Sequence, residues 1–488
     1  MKFLIVNILK LNLKILFVLF ISASQAIHPQ EKTFKLLDNY LTNYIKNKNI
    51  PSISAGLYKD SVIIWSNAAG IADIEDNDPA TKFSLYRIAS ITKPITAVAI
   101  LQLWEKGLIT LDVDARTYIP SFPEKKWKFT IRQLLNHTAG IRGYKDGEFH
   151  NKKFFSTTND AVKVFAYDSL SFEPGTKYEY TSLGYSLLAL IIENVSNLSF
   201  EEYLNKNIFK PAEMIHTVID KQRSIVPNRV KGYEKDSKRI IVNAPLADLS
   251  IKYAGGGLVS NAEDLLRFSN ALLEGKLIKR STFEIMIKQT KLKNGKVVDY
   301  GLGFAIGSKN DSLYSISHTG GGTGFSTMLL IYPSLKLAAV HLINISDRNL
   351  DLPAKDIIEI FNSGLEIEPS KTLSDILMIK YLSTSIDSTV DLYNYINEFD
   401  SKQTNINEIE SIAFAKDLLN QNKSTDAVVY LRNLLKRYPK SSNLTETLGD
   451  AFLQNNNKGL ALKYYKIALQ LNRNNQRVIN LVKKLSSS

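Results

Sequence analysis

The sequence predicts an α+β fold: an antiparallel sheet assembled from two distant parts of the chain, a long helical insertion between them, and an all-α region at the end. Three observations point there. Short apolar runs separated by turn residues cluster near 53–65 and again near 303–343. Residues 90–290, between the two clusters, are patterned mostly as helix. After about residue 366 glycine becomes scarce, amphipathic helical patterns dominate, and the chain repeats itself with a period of 34 residues.

Taken in order, Lys2, Lys10 and Lys14 precede the apolar run Ile15–Ile21, which leads to Ser24-Gln25-Ala26. A basic start, an apolar core and a small-x-small site predict a signal peptide over residues 1–26, cleaved after Ala26, and hence export to the periplasm or the medium. No Cys follows to carry a lipid anchor, and no later stretch approaches the roughly 20 apolar residues of a membrane span. Residues 33–48 carry apolar positions at helical spacing, ended by Pro51. Ile53–Leu57 and Val62–Trp65 read as a hairpin around Lys59-Asp60-Ser61. The second strand set is Gly303–Ile306, Leu313–His318, Thr327–Tyr332 and Leu337–Ile343, with turns at Lys309-Asn310-Asp311 and Pro333-Ser334. The N-terminal helix and one over 353–364 are expected to cover one sheet face, giving a domain at 27–365. In the region 366–488, Ala415 corresponds to Gly449, Leu418 to Phe452, Ala427 to Ala461 and Leu431 to Tyr465. Small residues at such offsets let helices cross closely, and the pattern resembles tetratricopeptide repeats at 408–441 and 442–475. Residues 476–486 form the expected capping helix, and 370–407 hold a degenerate further repeat or leave the pair to pack on the preceding domain.

Composition removes several chemistries. The 488 residues include no Cys and six scattered His, so there is no disulfide framework, thiolate nucleophile or cysteine metal site, and no His-Glu-x-x-His helix. We therefore expect neither metal nor cofactor. The net charge is +13, falling to +10 once the three leader lysines are removed. Its basic residues are dispersed and lack aromatic interleaving, which argues against a nucleic-acid partner. Gly255–Gly257 and Gly320–Gly324 are not followed by the Gly-Lys-Ser/Thr of a phosphate cradle.

The chemistry concentrates at Ser90-Ile91-Thr92-Lys93. A helix beginning at Ser90 puts positions i and i+3 on one face, so hydroxyl and amine meet. The helix N-terminus and burial both disfavour the ammonium, which would let the neutral amine take the Ser90 proton. An isolated Ser-x-x-Lys reads equally as a capping serine beside a solvated lysine. Here it is followed by Tyr180-Thr181-Ser182 and by His318-Thr319-Gly320 with Gly321-Gly322-Thr323-Gly324. Leu134–Ile141 (with Asn136-His137-Thr138), Tyr253–Leu265 and Tyr300–Phe304 add further matches.

As an ordered set, these motifs resemble the class C β-lactamase-related, penicillin-binding-protein-like serine hydrolases over roughly residues 33–345. Ile119–Trp127 and Gly140–Tyr144 look most like the mitochondrial serine β-lactamase-like branch. The resemblance implies a β-lactamase/DD-peptidase-like fold and an acyl-enzyme acting on ester, peptide-amide or β-lactam-like substrates. It implies Ser90 as nucleophile, Lys93 as its partner and base, and Tyr180 as acid/base. Ser90 and Gly321 would supply the oxyanion N–H groups, and Ser182, His318, Thr319 and Gly320 would bind substrate. A phenol titrates near ~10, so this role requires cations to lower Tyr180, with Lys93 and His318 as candidates. Two departures move the expectation from β-lactamase toward an esterase or peptidase. Ser182 stands where the family usually has Asn, and His318 replaces the commoner Lys, weakening the positive charge that faces a substrate carboxylate. His137 reads as structural, ordering the turn near the site. The alternative is a weakly active or inactive scaffold that binds protein partners through the C-terminal repeats.

Overall fold

The computed structural model describes residues 29–307, 314–347, 350–400, 404 and 406–486. The predicted leader and the predicted turn at Lys309–Asp311 lie outside these residues. Helix α1 (Pro29–Lys48) leads into the hairpin of β1 (Ser52–Lys59) and β2 (Val62–Asp73), extended by the short β3 (Asp78–Pro79). The hairpin turns on Asp60 and Ser61, whose φ values of 47° and 70° suit the twist of a two-residue connection. The later strands are β4 (Ala305–Ile306), β5 (Ile316–Gly322), β6 (Phe325–Tyr332) and β7 (Leu337–Ile343). The sheet order is β4-β5-β6-β7-β1-β2-β3, and all neighbours are antiparallel. The two distant strand sets therefore join where β1 pairs with β7, from Ile53 opposite Ile343 to Lys59 opposite Leu337.

Each sheet face is covered, which explains why β7 reads as an apolar run, broken only by the buried His341, rather than as an alternation. On one side Leu37, Tyr40 and Tyr44 pack with Ile53, Leu57, Ala339 and Ile343 and with Ile357 and Ile360 of a later helix, Pro353–Ser363. The opposite side carries the insertion. Its central helices, α2 (Thr92–Glu105) and α3 (Leu183–Ser196), are apolar almost all round and correspondingly buried. They share a core with Leu265 and Phe268 of the helix Ala262–Leu273 and with Ala338, Val340 and Leu342 of β7.

Beyond residue 372 the chain is helical and has its own core. The spans 408–441 and 442–475 each hold two helices, Glu408–Asn420 with Ser424–Arg437 and Ser442–Gln454 with Lys458–Leu471. The segment before them contains another pair, Leu373–Ser383 and Ile386–Phe399. Gly449 shows why small residues recur here: a Cβ would stand 2.6 Å from the Tyr465 ring. This helical region meets the sheet domain through buried charge. Lys235 and Arg239 both bind Asp375 at 2.6 Å, and Arg239 reaches Asp347 at 2.7 Å.

Among the described residues no single helix is long and apolar enough to cross a membrane.

Candidate active site

A tight turn of Ala89–Ile91 precedes α2, so the α-helix proper begins two residues after Ser90. Ala89 sits at φ 45°, a left-handed conformation that costs a non-glycine residue about 1 kcal/mol or more. Strand β5 lies directly against this turn. At Gly320 a Cβ would fall 2.5 Å from the Ile88 carbonyl oxygen, so only glycine permits the approach.

Lys93 is fully buried, and its Nζ has three neighbours. They are Ser90 Oγ at 3.1 Å, Ser182 Oγ at 2.9 Å and the Gly255 carbonyl at 2.6 Å. Gly255 must be glycine, because a Cβ would lie 2.9 Å from the Ser182 Cβ and carbonyl oxygen. Burial, and then the field of Lys252, hold the Lys93 amine well below the ordinary lysine range. A neutral amine fits the three contacts: two N–H groups donate to Gly255 and Ser182, and the lone pair faces the Ser90 hydroxyl.

Tyr180 stacks its ring 4.7 Å from Lys93 Nζ and 4.4 Å from the His137 ring. The residue is 41% exposed toward the cleft, yet the protein packed round its phenol holds the pKa above the ordinary value. The expected cations are not there to lower it. Burial holds the Lys93 amine well below the ordinary lysine range, and His318, 4% exposed, is pushed down to about 3, chiefly by burial. His318 is thus a neutral group behind Tyr180 rather than a weakened cation facing substrate.

His318 belongs to a buried chain whose proton positions follow from its ends. His318 Nδ1 donates to the Thr319 carbonyl at 2.7 Å, so Nε2 accepts from the Tyr300 hydroxyl at 3.0 Å. Tyr300 in turn accepts from His137 Nε2 at 3.3 Å, while His137 Nδ1 accepts the Thr181 N–H at 3.3 Å. His137 therefore orders the Tyr180–Ser182 turn. Tyr300 is the link that sequence reasoning missed; its place in Tyr300–Phe304 was the only signal.

Ser90, Tyr180, Ser182 and Gly321 line one cavity of 270 Å³, together with Tyr144, Phe149 and Lys252. Thr319 and Gly320 open instead onto an adjacent cavity of 650 Å³ that Gly321 shares. No cluster of metal-ligating side chains occurs among the described residues.

An antiparallel sheet with this insertion, carrying Ser90-x-x-Lys93, Tyr180 and the His318-Thr319-Gly320 strand, defines a β-lactamase/DD-peptidase-type serine hydrolase fold. Residues 37–359 match the Beta-lactamase family, and the chain belongs to it. The human mitochondrial serine beta-lactamase-like protein LACTB is 28% identical over 377 residues, covering 58% of this chain and 69% of that protein. Penicillin-binding protein 4* of Bacillus subtilis is 32% identical over 298 residues, covering 58% of this chain and 65% of that protein. The crystal structure of the D-amino acid amidase from Ochrobactrum anthropi superposes with a TM-score of 0.59 at 21% identity, over 69% of this chain and 99% of the amidase.

Proposed function

We propose that the chain is an exported hydrolase that acts on esters or amides through an acyl-enzyme at Ser90. The observation that carries this reading is the buried Lys93 amine held between Ser90, Ser182 and Gly255. Neutral Lys93 takes the Ser90 proton as Oγ attacks the substrate carbonyl carbon. The N–H groups of Ser90 and Gly321 receive the developing oxyanion, an interaction whose loss typically costs ~10²–10³ in rate. Tyr180, protonated because its pKa is raised, hands its proton to the leaving oxygen or nitrogen as that bond breaks. Water then attacks the acyl carbon as its proton passes to the Tyr180 phenolate, the acyl C–Oγ bond breaks, and Lys93 returns its proton to Ser90 Oγ, which resets all three groups. Burial thus divides the work, favouring a neutral base at Lys93 and a protonated acid at Tyr180.

Ser182 accepts from Lys93 and offers no amide group to a substrate, which supports ester or simple acyl substrates over β-lactams. The C-terminal helices are assigned a protein-binding role beside catalysis. An inactive scaffold is disfavoured by a base so fully positioned.

The test is intact-mass analysis after incubation with a fluorophosphonate, a fluorescent penicillin and p-nitrophenyl esters. An adduct that disappears in Ser90→Ala supports the proposal, and no adduct and no turnover refutes it. Export predicts a mature N-terminus of Ile27-His28-Pro29; Met1 retained in the soluble fraction refutes that part.

A further inference from the structure

Lys252 is a second buried lysine beside Ser90, and the reaction as described makes no use of it. It closes the turn Ser250–Lys252 and is 6% exposed. Its Nζ donates to the Phe149 carbonyl at 2.8 Å and lies 4.2 Å over the Phe149 ring and 5.1 Å over that of Tyr144. Among the described residues it forms no ion pair with a carboxylate. The other cation on the cavity wall, Arg87, is already bound to Asp220 at 2.5 Å. No Asp or Glu lines the cavity. Beside Lys252, the buried Tyr144 hydroxyl has the Ser182 hydroxyl as its neighbour, and among the described residues no acceptor lies within hydrogen-bond geometry of its own proton.

A buried ammonium without a counter-ion is costly to keep, as is a buried hydroxyl without an acceptor. One bound carboxylate would offset both, accepting from Lys252 and from Tyr144. Burial, and then Arg87, bring the Lys252 pKa down to about 8, so the group is still cationic at neutral pH.

The reaction geometry says which part of the substrate lies there. Around the tetrahedral carbon, one direction belongs to Ser90 Oγ and one to the oxyanion beside Gly321. The leaving atom faces the Tyr180 phenol, whose ring lies against His318 at 6.1 Å. The remaining wall, Tyr144, Phe149, Leu249 and Lys252, receives the acyl group. We propose that Lys252 and Tyr144 form an anion subsite for the acyl portion, so that preferred substrates are esters or amides of short acyl groups bearing a carboxylate. A cavity of 270 Å³, the room of about nine waters, suits a short chain. This rests on the acyl-enzyme reading above.

The test uses the full chain and size-matched esters with one leaving group, the p-nitrophenyl monoester of adipate and p-nitrophenyl hexanoate. A second pair, 4-carboxyphenyl acetate and phenyl acetate, places the charge on the leaving group instead. The expected kcat/KM ratio of adipate to hexanoate is about 10 to 100, the worth of one hydrogen bond to a charged group. It falls toward 1 in Lys252→Met and part of the way in Tyr144→Phe, which removes only an oxygen and keeps the test valid if the lysine variant does not fold. A ratio near 1 in the unaltered protein, or one unchanged in the variants, overturns the inference while leaving the hydrolase intact. A preference for 4-carboxyphenyl acetate without one for adipate also overturns it. Failure to acylate with any ester overturns the acyl-enzyme reading and this inference together.

Discussion

Tyr180→Phe separates the acid from the base by its dependence on the leaving group. If Lys93 deprotonates Ser90 and Tyr180 only protonates the departing atom, the variant loses a function that p-nitrophenolate does not need, since it leaves without a proton. Lys93 Nζ stands 3.1 Å from Ser90 Oγ, and the Tyr180 phenol also bonds the Ser90 hydroxyl, so the two candidates for activating Ser90 have to be told apart by the leaving group. With Lys93 as the base, acylation by a p-nitrophenyl ester is expected to fall less than about tenfold. Acylation by an alkyl ester of the same acid, whose alkoxide must be protonated, is expected to fall about 10²–10⁴-fold, or about 3–5 kcal/mol of barrier. Lys93→Met is expected to cripple both substrates alike. Single-turnover acylation, followed by mass for the alkyl ester and by stopped-flow absorbance for the nitrophenyl ester, gives the four rates. An equal loss on both esters in Tyr180→Phe would refute the assignment, because it would make the phenol the group that activates Ser90.

Four further outcomes are expected. Lys252→Met removes the second contribution to the depressed Lys93 pKa, after burial, so the acid limb of kcat/KM for a neutral ester moves to higher pH; a limb that stays put or moves down contradicts the coupling. Tyr300→Phe leaves His318 Nε2 without its donor and His137 Nε2–H without its acceptor, lowering unfolding stability by about 1–3 kcal/mol in denaturant titrations. Gly449→Ala drives a methyl into the Tyr465 ring and is expected to destabilise the helical region by about 1–3 kcal/mol, read by circular dichroism melts. Glu410 and Asp417, at the junction with Arg239 and Asp347, are pushed up from 4.5 and 3.8 to about 7, chiefly by burial. The folded chain then holds protons that the unfolded chain has released, so this contribution is fully present below about pH 4 and is lost as pH rises to 7; Glu410→Gln should flatten that fall in melting temperature.

What the sequence disclosed was what spacing and order encode. Ser90 and Lys93 are three residues apart, so helical geometry alone brings them together, and Tyr180 and Ser182 followed from their place in an ordered set. The sheet was legible because both of its halves are dense in apolar residues. The end of β5 was not: the expected strand stops at His318, whereas pairing continues to Gly322 opposite Phe325. Of the glycines that carry it on, Gly320 is required because the strand lies against the Ile88 carbonyl, 2.5 Å from where a Cβ would stand, whereas a Cβ at Gly321 would meet nothing. The ionisation states were hidden for a different reason. That His318 is neutral depends on Tyr300, 18 residues away, and on burial beneath a cavity wall, neither of which spacing reports. Lys252 escaped notice beside the conspicuous Tyr253–Gly257, since a lysine in a sequence carries no sign that its charge is unpaired.

Burial acts in opposite chemical directions on the side chains proposed as base and acid yet favours the uncharged form of both. It lowers the Lys93 amine well below the ordinary lysine range and raises the Tyr180 phenol above its ordinary value. His137 and His318 are neutral for the same reason. With Arg87 bound to Asp220, the cation left to act on the contents of the cavity is Lys252, and the base and the attraction for an anion reside on separate amines. That separation has a consequence for the reaction. While the cavity holds only water, the Lys252 charge helps keep Lys93 deprotonated and ready. Once an acyl carboxylate pairs with Lys252, part of that field is offset and Lys93 becomes more basic as it is required to take the Ser90 proton. In the proposed reaction, a substrate that fits the subsite thereby strengthens the base that activates Ser90 against it.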